Sequence, residues 1–178
     1  MKSQDIVLLL KLISLENSAA TNVREDYSLR RLENLTGISK SELSSALNRC
    51  IDVGLATKDR HNGAPRANRK ALLGFISKGL RYVFPAKPGP LARGVPTAFA
   101  TPALAGQLMS AGETIYVWPD ATGTEKGQSI TPLFKTVPHA AKQDADLYLL
   151  LALVDAIRLG NPREAKFAEQ QLSTAFKL

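Results

Sequence analysis

Residues 27–55 read YSLRRLENLTGISKSELSSALNRCIDVGL, a stretch with two helix starts and two helix stops. Ser28 follows Tyr27 and precedes Leu29-Arg30-Arg31-Leu32, so its hydroxyl is placed to accept an N–H of a first helical turn while Tyr27 staples onto Leu32. Gly37 supplies the stop. In Ile38-Ser39-Lys40-Ser41-Glu42-Leu43, Ser39 and Glu42 stand at capping-box spacing, with Ile38 and Leu43 as the apolar staple. Leu43, Leu47, Cys50 and Ile51 recur at helical spacing as a buried stripe, and Gly54 followed by Leu55 ends the helix with an apolar contact. Two capped helices separated by a Gly-containing turn predict a helix-turn-helix.

On the N-terminal side, residues 3–16 predict a helix in which Ile6 to Leu10, Leu12, Ile13 and Leu15 leave almost no polar face, with Asp5 in the first turn suiting the helix dipole. Such a helix must be covered on two sides. Residues 17–26 are polar and read as a loop. On the C-terminal side, Leu55 to Asp59 predicts a first strand and Asn62-Gly63 a tip, while Pro65 cuts the second strand short. From Asn68 the pattern turns helical, with Leu72, Phe75, Ile76 and Leu80 on one face. Residues 27–59 resemble the winged-helix regulators of the MarR-like kind in Leu32, Leu35, Thr36, Gly37, Ile38, Ser39, Ser41, Leu43, Ala46, Leu47, Gly54 and Leu55, with the abbreviated wing as the departure. The resemblance implies a DNA-binding transcriptional regulator, usually a repressor, that occupies its operator as a homodimer.

Past Phe84 the character changes, because eight of the ten prolines fall between Pro85 and Pro138, where helices and inner strands tolerate them badly. Val83, Phe84, Leu91, Val95, Phe99, Leu104, Leu108 and Met109 make this region too apolar for a disordered tether. Within it, Thr101-Pro102 starts a short helix, and Thr114 to Trp118 with Gln128 to Thr131 predict a small hairpin. Beyond it, residues 142–159 form a strongly apolar helix, and Asn161-Pro162-Arg163-Glu164 opens a last one with cap, first-turn proline and box acid in place. The expected fold is mainly α with a small β component: a winged helix-turn-helix over 1–82, a Pro/Gly-rich connecting segment over 83–137, and a helical pair over 138–178 for dimerisation or partner binding.

The formal charge of +7 is unevenly distributed. Residues 1–82 hold 14 Lys/Arg against 8 Asp/Glu, whereas the rest of the chain is nearly balanced. Lys58, Arg60, Arg66, Arg69, Lys70, Lys78 and Arg81 stand against Asp59 alone, the kind of stripe that phosphate neutralisation needs. Base reading falls to the outward positions of the second helix, Lys40, Ser41, Ser44, Ser45, Asn48 and Arg49: arginine matches guanine N7 and O6, asparagine matches adenine, and serines let the helix approach closely. Arg30, Arg31, Ser39, Lys58, Arg60, Arg66, Arg69 and Lys70 are the expected phosphate and wing contacts.

Cys50 cannot form an intramolecular disulfide as the one cysteine, and its place in the apolar stripe marks it as core. His61 reads as a solvated loop residue. His139 has no partner at ligand spacing, so neither metal nor cofactor is expected. Residues 123–129 lack the spacing of a phosphate loop, and Tyr116 and Trp118 are expected in the core rather than around a ligand. No catalytic grouping emerges, and an enzyme is the least expected class. The apolar run from Ile6 to Leu10 is too short to span a membrane, which with one cysteine points to a cytoplasmic protein. Two further readings remain open: an antitoxin-like or defence-system regulator whose C-terminal half binds a partner protein, and a binder of structured RNA.

Overall fold

The computed structural model describes residues 1–18, 23–107 and 114–178. Leu108, Met109 and the middle of the expected 17–26 loop lie outside the described residues. The chain is mainly α, with small sheets. It divides into two compact units: residues 1–72 with 133–147, and residues 73–132 with 148–178. The expected C-terminal helical pair is therefore not a module of its own.

In the first unit, α1 (Ser3–Asn17) is buried along nearly its whole length, and α3 and α4 both pack on it. A short α2 (Val23–Asp26) occupies the end of the expected loop. Ser28 starts α3 (Leu29–Thr36) by accepting the Arg31 N–H at 3.2 Å. Gly37 ends it in the left-handed region at φ 69°. A Cβ there would also lie 2.9 Å from the Thr136 side chain, so both backbone strain and crowding demand glycine. Ser39 caps α4 (Lys40–Asp52) through the Glu42 N–H, but Glu42 returns to the Ser39 hydroxyl rather than its N–H, leaving the box half formed. At the far end the Gly54 N–H reaches the Ile51 carbonyl and the Leu55 N–H the Cys50 carbonyl, the paired bonds of a Schellman ending.

Strands β1 (Ala56–Lys58) and β2 (Pro65–Ala67) follow as an antiparallel ribbon with Thr57 opposite Arg66. The second strand is short, as expected, and begins at Pro65 itself, where the missing N–H interrupts no ladder. The helix after it runs through α5 (Arg69–Phe75), a π-helical turn over Ile76–Leu80 and α6 (Arg81–Val83), and buries Leu72, Ile76 and Leu80. The expected helix over 142–159 is broken: α7 (Val137–Gln143), which packs on α3, and α8 (Ala145–Leu159) meet at Asp144. The extended Asp144 accepts the Leu147 N–H at 3.0 Å and so starts α8 afresh.

The second unit holds a closed three-stranded barrel of β3 (Leu91–Thr97), β4 (Tyr116–Pro119) and β5 (Glu125–Ser129). The expected hairpin is corrected here: β4 and β5 pair parallel, and β3 lies antiparallel to both. Gly94 makes the crossing possible, because a Cβ on it would fall 2.0 Å from the Trp118 carbonyl oxygen. Trp118 is 1% exposed, and its indole N–H donates at 2.6 Å to Asp155 of α8, which also accepts from Thr97 and Arg158. Arg158 in turn donates to the Phe84 carbonyl. This network satisfies charges that α8, buried continuously over residues 150–158, could not otherwise hold. The last helix, α9 (Pro162–Ala175), begins with Asn161 and Glu164 in a reciprocal capping box. Among the described residues no helix is long and apolar enough to cross a membrane.

Candidate nucleic-acid interface

The burial of α4 separates its two sides. Leu43, Ala46 and Cys50 are fully buried, whereas Lys40, Ser41, Ser45 and Asn48 are exposed and Ser44 is half-buried. The helix is held at both ends by its own caps and along its inner side by α1 and α3. Its outer surface is thus a short polar ridge of small side chains on a fixed rod. Ser41 and Ser45 line a shallow groove with Glu42, Arg49 and two residues from the start of α1, Lys2 and Gln4. Lys2 belongs to this surface without any local signal for it; only the packing of α1 on α4 brings it there.

Arg49 departs from its expected role. Its Nε donates to Asp5 Oδ2 at 3.0 Å and its Nη2 to Asp5 Oδ1 at 2.7 Å, while the Lys2 N–H reaches the same carboxylate at 2.8 Å. Asp5 is fully buried and the Arg49 side chain is 28% exposed. A two-point fork on a buried carboxylate keeps the guanidinium charged above its ordinary range and turned toward α1, so Arg49 is a structural anchor rather than a base reader. Cys50, the next residue, has its thiol pushed up to about 12, first by burial and then by the Asp5 charge, which leaves it unreactive.

The flanking cations also divide. Arg30, Arg31, Lys58, Arg60 and Lys70 are exposed. Arg31 opens onto a groove shared with Asp144 and Asp146, so acids stand near it. Ser39 is exposed, but its oxygen is engaged as the cap. Lys40 sits 3.7 Å from Glu33 on the surface, a contact weak enough to exchange for a phosphate. Arg66 donates to Asp59 at 2.8 Å and remains partly exposed. Arg69 is corrected: it is mostly buried, binds Glu16 at 2.7 Å and faces Asn17, and so ties the start of α5 to the end of α1. In the ribbon turn, the N–H groups of His61 and Asn62 and the Arg66 side chain hold the Asp59 carboxyl below the usual range. That turn carries Lys58, Arg60 and His61 outward. Neither Asp5 nor Glu16 could be matched to its arginine from sequence, since the pairs are separated by 44 and 53 positions.

Compared with known proteins, the chain matches no family model, no curated protein and no solved structure.

Proposed function

We propose that this chain binds duplex DNA as a winged-helix transcriptional regulator, with α4 entering the major groove and the β1–β2 ribbon acting as the wing. The observation that carries this reading is the exposed ridge of α4, Lys40, Ser41, Ser45 and Asn48, on a helix capped at both ends and followed by a ribbon bearing Lys58 and Arg60. Short side chains let a helix approach base edges, and Asn48 has the donor and acceptor that adenine N7 and N6 require. Arg30, Lys58, Arg60 and Lys70 supply phosphate contacts, which give affinity without sequence preference. Repression by operator occupancy as a homodimer completes the proposal, since two heads supply the affinity that one lacks. The apolar lengths of α1 and α8 are already covered within one chain, so the dimer face lies elsewhere.

Selection of bound fragments from random duplexes, followed by titration at two salt concentrations, tests it. Asn48→Ala should cost about 1–3 kcal/mol on the selected site and relax preference at one base pair. Lys70→Ala should weaken all duplexes alike and reduce the salt slope by about one. No enriched sequence, with salt-insensitive binding in every variant, would overturn the reading.

A further inference from the structure

Gln4, in the first turn of α1, is 6% exposed, and its amide nitrogen Nε2 is buried without a hydrogen-bond acceptor. Buried amide donors are almost always paired, because an unmade bond forfeits the whole of the lost hydration. Gln4 borders the shallow groove between the start of α1, with Lys2, and α4, with Ser41, Glu42, Ser45 and Arg49. Its long side chain lets the amide turn into that groove once an acceptor is seated there. Other donors around the groove are also idle. Arg49 spends Nε and Nη2 on Asp5, and neither its Nη1 nor the Ser45 hydroxyl has a partner among the described residues. Ser41 and Ser45 belong to the exposed ridge of α4 as well, so the groove runs along the flank of that ridge.

We propose that this groove seats a phosphate of the duplex backbone, with Gln4 and Lys2 as its donors from α1. A helix of about 10–12 Å diameter fills a major groove about 12 Å wide, so a surface on the flank of α4 meets the sugar–phosphate wall and not base edges. Phosphate oxygens accept from the amide, the hydroxyls, the ammonium and the outer edge of the guanidinium alike. The charges also favour a tethered phosphate over a free one. Arg49 is matched by Asp5, and the half-buried Glu42, whose Oε2 takes the Ser39 hydroxyl at 3.3 Å, stands against Lys2. A groove with no net positive charge draws free anions weakly, whereas docking of α4 delivers a backbone phosphate at high effective concentration. The choice of duplex rests on the reading of α4 above; the unpaired amide does not.

The test titrates the full chain with fluorescent random-sequence duplex at three salt concentrations, comparing wild type with Q4M, K2Q, E42Q and K40A/N48A. Q4M keeps the length of the side chain and removes its polar end, so it is expected to melt at or above the wild-type temperature. Its duplex affinity should nevertheless fall about tenfold, with the salt slope unchanged. K2Q, on an exposed side chain, should lower the slope of log affinity against log salt by about one, and it decides the matter should Q4M fold poorly. E42Q, which preserves the capping box, should tighten binding. Millimolar inorganic phosphate should leave the wild-type melt unchanged. Wild-type affinity and slope in Q4M and K2Q, with K40A/N48A weakened, would overturn the phosphate seat and leave the α4 reading standing. Weakened Q4M and K2Q beside an unaltered K40A/N48A would uphold the seat and remove the ridge as the reader. Inorganic phosphate that raises the melt of wild type but not of Q4M, with equal duplex affinity in the two, would overturn duplex as the source.

Discussion

Arg49 lies one helical turn beyond Ser45, where a guanidinium can reach either a base edge or the start of α1. The fully buried Asp5 decides between them, because a carboxylate removed from water is stable only when its oxygens are matched by donors. Arg49 therefore orients α4 on α1, and under the proposed DNA-binding reading the base contacts fall to the neutral side chains beside it. Arg49→Ala is expected to lower stability by about 3 kcal/mol, because it strands the Asp5 charge. Chemical denaturation measures this; an unchanged midpoint would show that the pair contributes nothing. Where the midpoint does fall, loss of DNA binding in the same variant reports folding rather than recognition. At this scale the short-range features were legible: Ser28, Ser39, Asn161 and Gly37 all act where their spacing placed them. The ion pairs were not, since Arg49 and Asp5 share no local pattern.

Among the elements, helices with apolar stripes and caps were readable because a helix satisfies its backbone locally and marks its ends with particular residues. Strand β3 was hidden. Its sequence LARGVPT holds a proline and a glycine, which argue against an inner strand, and its partners β4 and β5 lie on opposite sides of it in a closed barrel. Closure removes the edges that an isolated hairpin would leave open, and glycine at position 94 permits it by clearing the Trp118 carbonyl. Gly94→Ala should therefore cost at least about 3 kcal/mol, since the added methyl meets backbone that cannot step aside. Trp118 is the one tryptophan, and its fluorescence in a thermal melt reports this unit directly. An unshifted Trp118 transition would show that the strands separate to admit the methyl group.

Across the molecule, the two helices that read as uniformly apolar both carry buried charge, and each charge has a partner. In the first unit, Lys11 of α1, 4% exposed, is bonded to Asp144, which also accepts from the Ser14 hydroxyl. In the second, Asp155 and Arg158 pair one turn apart on α8. Burial works against the Asp144 charge, but the bonds from Lys11, Ser14 and the Leu147 N–H outweigh it and hold the carboxyl below the usual range. A depressed folded value means that the stabilisation is present above the unfolded value of about 3.9 and fades as pH falls through the folded one. Asp144→Asn should lose about 3–5 kcal/mol at neutral pH by leaving Lys11 buried and unpaired. Melting followed from pH 7 to pH 2 should show the gap between wild type and Asp144→Asn narrowing below about pH 4. A gap that stays constant over that range would remove the ion pair as its cause.

By itself, the sequence determined where the helices of residues 28–54 begin and end, which side of α4 is greasy, and that the positive excess lies in the first half, because capping, periodicity and charge are local properties of the chain. Tertiary structure alone decided which cations stay available, which carboxylates hold the rest inward, and how a proline-rich stretch closes into a barrel. Those outcomes depend on contacts between residues far apart in the chain, and these exist only once the backbone has brought them within a few ångströms.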